Sequence, residues 1–90
     1  MDFKVSLALV DDKKMRELNK AYRAKEGTTD VLSFEVNEPS EEGVLWLGEV
    51  VVNKSKAEEQ AKELGHSFAE EVAELVKHGV LHLLGEHTQK

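Results

Sequence analysis

The sequence predicts a small α+β domain: a mixed three-stranded sheet packed with three helices in the order βαββαα. Three observations carry this reading. Apolar residues alternate with period two at the N-terminus, which is a strand signal. Two further runs rich in β-branched and aromatic residues flank a short polar segment, the pattern of a hairpin. Two helix-start signatures then follow one another in the second half of the chain. Ninety residues make one domain, spanning 1–90, with a modest core.

Each element has its own justification. Phe3, Val5, Leu7 and Leu9 alternate with Lys4, Ser6 and Ala8, so residues 3–10 form a strand. Asp11 or Asp12 offers an N-cap carboxylate. Met15, Leu18 and Tyr22 recur at i, i+3 and i+7, which predicts an amphipathic helix over 12–24 that Gly27 stops. Thr29 to Val36 reads as a second strand, and Asn37 to Gly43 as a loop of turn formers. Residues 45–52 form a third strand, with Gly48 marking a bulge or a close approach. Ser55 and Glu58 have capping-box spacing and open a helix that Gly65 closes. Ser67 and Glu70 repeat the signature and open a last helix to Leu84, stopped by Gly85. Strand, helix, strand suggests a parallel βαβ crossover, and the short 37–44 connection suggests an antiparallel hairpin; the sheet is therefore mixed.

Composition narrows the function. Cysteine is absent, which excludes disulfides and thiolate metal sites and fits a cytoplasmic protein. No apolar run is long enough for a bilayer and no secretory signal opens the chain, so no membrane role is expected. The net charge of −6 argues against a general nucleic-acid binder. Yet Asp11 to Glu26 holds six cations against four acids, while Glu35 to Glu49 holds five acids and no cation. The two zones can serve different partners, or be only a solvated helix and an acidic loop.

The chemistry concentrates in histidine. His78, His82 and His87 lie in the last thirteen residues. Four residues apart on a helix, His78 and His82 share one face and can reach one cation at about 2.0–2.1 Å each. A turn at Gly85 would let His87 close on the same point. Three nitrogens then leave a fourth position open, as at a catalytic zinc. The surrounding helix is apolar nearly all round, so buried imidazoles would need partners. Backbone carbonyls or a carboxylate would also satisfy them, and the sequence leaves both readings open. The peptidase pattern His-Glu-x-x-His is absent, because Gly79 stands where the general base belongs.

The run His78-Gly79-Val80-Leu81-His82-Leu83-Leu84-Gly85 resembles the signature of the YbeY family of bacterial endoribonucleases, which mature ribosomal RNA. Leu18-Asn19-Lys20-Ala21-Tyr22-Arg23, Thr29-Asp30-Val31-Leu32-Ser33-Phe34 and Leu47-Gly48-Glu49-Val50 resemble further blocks of that family. The resemblance covers essentially the whole chain. It implies a zincin-like metal helix packed on a mixed sheet, one zinc ion, and single-strand-specific cutting of RNA. The implied setting is maturation of the small-subunit ribosomal RNA 3′ end and ribosome quality control, with small-subunit proteins as partners and a monomeric chain. It makes Arg23 the functional arginine, where position alone makes it a cation suited to a helix C-terminus. The family's third histidine stands ten residues beyond the first; here Thr88 holds that place and His87 precedes it. Threonine is a poor zinc ligand, so His87 is expected to take the third position, with Glu86 beside it in support or in solvent.

Other residues are weighed more plainly. Ser33 either lines the site or fills a small polar strand position. Thr29 and Asp30 begin a strand or approach substrate. His66 sits beside a capping serine. Trp46 stacks a base or packs in the core. Glu49 is a further acid/base candidate. The rival to a nuclease is a non-catalytic ribosome-assembly module that keeps the metal as a staple; a metallohydrolase of another substrate class is a third reading.

Overall fold

The computed structural model describes residues 2–88, with side chains through residue 85. Its strands are β1 (Asp2–Val10), β2 (Val31–Pro39) and β3 (Val44–Asn53). Its helices are α1 (Asp12–Arg23), α2 (Lys54–Leu64) and α3 (Phe68–Thr88). The order is βαββαα and the sheet is mixed, as the sequence predicts.

β3 is the central strand, parallel to β1 and antiparallel to β2. The parallel pair is therefore β1 with β3, which corrects the expected crossover between β1 and β2. The register explains why. Val10 ends β1 beside Asn53, and Val31 begins β2 opposite Val52. α1 and the loop after it thus return the chain to the end of the sheet where β1 finished.

The successive valines of β3 alternate between two cores. Val51 joins Met15 and Leu32 beneath α1. Val50 and Val52 join Ala57, Leu75 and Leu83 beneath α2 and α3. The domain is three layers, with the sheet in the middle. Among the described residues no helix is long and apolar enough to cross a membrane.

Helix ends depart from expectation in three places. α1 ends at Ala24, which adopts the left-handed conformation at φ 53°. Gly27 comes later and shapes the return loop at φ 101°. α2 starts earlier than expected because Asn53, not Ser55, caps it; the Asn53 side chain accepts from the Lys56 N–H at 3.2 Å. α3 does not stop at Gly85 but runs on to Thr88. The Ser67–Glu70 capping box forms as read, with reciprocal bonds of 2.9 and 3.1 Å.

Asn53 is fully buried and ties four segments together. Its amide donates to Asp12 Oδ1 at 2.9 Å, Thr28 Oγ1 at 2.9 Å and the Thr29 carbonyl at 3.1 Å. Its backbone N–H donates to the Asp30 carbonyl at 2.8 Å. The end of β3, the start of α1, the loop into β2 and the first turn of α2 therefore share one residue. Asn53→Ala strands several of these groups and is expected to cost roughly 2–4 kcal/mol in chemical denaturation; a loss under about 1 kcal/mol would deny Asn53 this linking role.

The Arg16 guanidinium, 2.7 Å from the Asp12 carboxylate, together with bonds from Asn53 and Thr28, lowers the Asp12 carboxyl from 3.8 to about 2. A depressed folded value gives stability that is present above the ordinary value and lost as pH falls through the folded one. Wild type should therefore lose more melting temperature than Asp12→Asn as pH drops from about 4 to about 2. Parallel profiles would show that the Asp12 charge contributes nothing.

Candidate active site

α3 crosses the sheet over β2 and β3. Glycine lets it come close. A Cβ on Gly79 would lie 2.6 Å from Val50 Cγ1 and 3.1 Å from Ser33 Oγ. A Cβ on Gly48 would overlap the Phe34 carbonyl and sit 3.1 Å from Leu83 Cδ2. Gly48 also stands next to a bulge, since Lys4 and Val5 of β1 register with Trp46 and Gly48 and leave Leu47 unmatched. Both readings of Gly48 therefore hold.

Where α3 meets the β2 edge, Arg23, Val31, Ser33, His78, Gly79 and His82 line a cleft of about 220 Å³. α1 brings Arg23 from its last turn, β2 brings Val31 and Ser33, and α3 brings the rest. Residues far apart in sequence thus converge on one concavity. The Ser33 hydroxyl donates to the Gly79 carbonyl at 3.2 Å. It stitches strand to helix at the residue between the two imidazoles.

The imidazoles are not buried. His78 and His82 are both exposed, because the helix turns this side away from the sheet. The His78 side chain is 65% exposed, so the expectation that burial forces it to find a partner fails. Leu81, at 54% exposed, belongs to the same open side. His78 Nε2 lies 3.8 Å from Glu74 Oε2, one turn earlier. Glu74 was not singled out in the sequence, although its i, i+4 spacing to His78 was visible.

Other sequence candidates lie elsewhere. Glu49 lines a different concavity, with Trp46. Asp30 is engaged with Gln60 at 3.3 Å, towards α2. His66 Nδ1 meets the buried Glu71 carboxylate at 3.2 Å, a local contact at the start of α3. The side chains of Glu86, His87 and Thr88 lie outside the described residues. Their backbone continues α3, so position 87 is about two and a half turns beyond His78, without the turn expected at Gly85.

The donor set fits a divalent transition metal in part. Two imidazoles on one helix face suit zinc, and the Glu74 carboxylate adds a negative charge 3.8 Å from His78 Nε2. Among the described residues no group of three or more metal-ligating side chains converges. The described residues thus supply a histidine pair with a cation, Arg23, in the same cleft.

Fold and site define an α+β domain whose last helix carries paired histidines over a mixed sheet, with an arginine lining the same cleft. The whole chain, residues 1–90, matches the family described as Endoribonuclease YbeY, and the chain belongs to that family. It is 50% identical over 86 residues to the Endoribonuclease YbeY of Aquifex aeolicus, covering 96% of this chain and 57% of that protein. It is 56% identical over 81 residues to that of Carboxydothermus hydrogenoformans, covering 90% and 55%. The solution structure of TM1509 from Thermotoga maritima superposes with a TM-score of 0.61 at 35% identity, over 91% of this chain and 51% of that one. The chain therefore spans little more than half the length of these relatives.

Gly79→Ala tests the close seating of α3. Its methyl group must displace Val50 or lift the helix, and a loss of roughly 1–3 kcal/mol is expected. An unchanged melting temperature would mean that α3 has slack over the sheet.

Proposed function

We propose that this chain carries the catalytic domain of a metal-dependent, single-strand-specific endoribonuclease that acts in ribosomal RNA maturation. The observation that supports the reading is the meeting of Arg23, Ser33, His78 and His82 around one cleft. His78 and His82 would hold one zinc ion from a single helix face. When bound, zinc supplies Lewis acidity and a water of lowered pKa.

The chain's own residues do the rest. Arg23 presents a planar, permanently charged fork to the scissile phosphate and stabilises charge that develops there. Ser33, with its proton committed to the Gly79 carbonyl, is a positioning residue that holds the helix register at the histidines. Glu74, with its carboxylate 3.8 Å from His78 Nε2, places a negative charge beside that ring. His87 is proposed as the third metal donor. That role requires the chain to leave the helix near Gly85, a residue about 0.8–1.0 kcal/mol less favourable than alanine in a helix. The acidic chain draws RNA through the basic α1 and the small-subunit proteins of the ribosome.

Cleavage of a single-stranded RNA by the zinc-loaded chain, abolished by chelation, is the expected result. Zinc bound without cleavage would favour the assembly-module reading. Arg23→Lys should bind zinc as the parent does and cut at least about ten-fold more slowly, a loss of roughly 1.4 kcal/mol. Full activity in Arg23→Ala would return Arg23 to a helix-end cation. In zinc titrations, His78→Ala, His82→Ala and His87→Ala should each weaken binding steeply, while Thr88→Ala should not. Wild-type affinity in His87→Ala would remove it from the ligand set.

A further inference from the structure

A second concavity lies on the α1 face of the sheet, where Leu18, Tyr22, Phe34, Val36, Trp46 and Glu49 enclose about 240 Å³. That is smaller than the roughly 300–1,000 Å³ of a drug-sized pocket and suits a single planar ring. Three of the six lining side chains are aromatic. Tyr22 falls on the apolar stripe of α1 by its spacing, yet it is 68% exposed. Its ring meets Phe34 at 67° with centroids 5.0 Å apart. The Trp46 indole N–H donates to the Gly48 carbonyl at 2.9 Å, which fixes the ring. The Lys4 ammonium stands 5.8 Å from its centroid.

Two features point to the occupant. Tyr22 and Arg23 are consecutive residues in the last turn of α1; Tyr22 lines this concavity and Arg23 lines the histidine cleft. The apolar walls are also bordered by cations, with Lys4 over Trp46 and the basic α1 alongside. Aromatic walls with flanking cations are what a base and its phosphates require.

We propose that this concavity is a nucleobase site, which stacks one unpaired base of a single-stranded RNA while Arg23 holds a neighbouring phosphate. The proposal rests on the ribonuclease reading and adds to it a route for the substrate around the β2 edge. Glu49 is the one charged liner, and its carboxylate accepts from an exocyclic amino group. Adenine, cytosine and guanine carry that group. Uracil, with two carbonyls flanking its ring N–H, fits less well.

Trp46 is the only tryptophan in the chain, so its fluorescence reports on this concavity directly. In metal-free protein held in chelator, where no cleavage occurs, short oligoadenylate should quench Trp46. Oligouridylate should quench it more weakly, and inorganic polyphosphate should not. Tyr22→Ala should weaken oligoadenylate binding about ten-fold, and Tyr22→Phe should restore it. Melting curves check that both variants fold, and the comparison of oligoadenylate with polyphosphate on wild type decides the matter if Tyr22→Ala does not. Equal quenching by polyphosphate, no response to oligoadenylate, or a Trp46 change that follows protein concentration without RNA would overturn the proposal; the last would assign the concavity to a second copy of the chain. Tyr22-dependent quenching without cleavage by the zinc-loaded chain would keep the base site and remove the nuclease. Cleavage with a silent Trp46 would do the reverse.

Discussion

Gly79 rests against Val50 and Ser33 with no room for a methyl group, and the arrangement of the cleft depends on that contact. Protein interiors are close-packed, so a helix axis sits only as near to a sheet as its smallest contact residue permits. Here a glycine on the helix meets the sheet, and a glycine on the sheet meets Leu83 one turn further on. The two contacts fix both the height of α3 and its rotation about its own axis. His78 precedes the first glycine and His82 follows three residues later, so the same rotation that seats Leu75 and Leu83 in the core turns both imidazoles outward. The Ser33–Gly79 hydrogen bond then locks the rotation from the strand side.

Much of this was legible in the sequence, for reasons that can be named. Period-two alternation and the capping-box spacing of Ser67 and Glu70 are local signals, and they located β1 and the start of α3. Gly48 announced itself because a glycine inside a β-branched run has few other uses. Asn53 was invisible as a cap because it also ends a strand and serves partners up to 41 residues away. Ala24 carries no C-cap signature, and its left-handed backbone follows from the path of the return loop. The parallel partner of β1 is β3 rather than β2, because β1 and β2 are adjacent in sequence but flank β3 in space. At the site, spacing paired His78 with His82, but only the fold shows that they face solvent beside Arg23. Apolar neighbours on a helix do not say which side of it the core will take.

Charge is partitioned by the same layering. α1 carries its lysines and arginines on the outer layer, opposite the layer of α3. Its last turn reaches the sheet edge, where Arg23 enters the histidine cleft. A net-acidic chain can thus present a basic strip to a polyanion, and salt sensitivity of binding would follow that strip rather than the overall charge.

The position of β3 has a kinetic consequence. It is the fourth element of the chain and closes on the earlier ones: its parallel register with β1 joins residues 2–10 to 44–53, and Asn53 then reaches back to Asp12. Val51 and Val52 of β3 are buried on both faces only when α1 and β2 on one side and α2 and α3 on the other are in place. Loop closure over such spans precedes its reward, which slows folding relative to a helical bundle of equal size. It also makes the sheet indivisible. A ribosome-bound nascent chain would hold β1 and α1 without a partner until the central strand emerged, and the domain would then form in a single cooperative step.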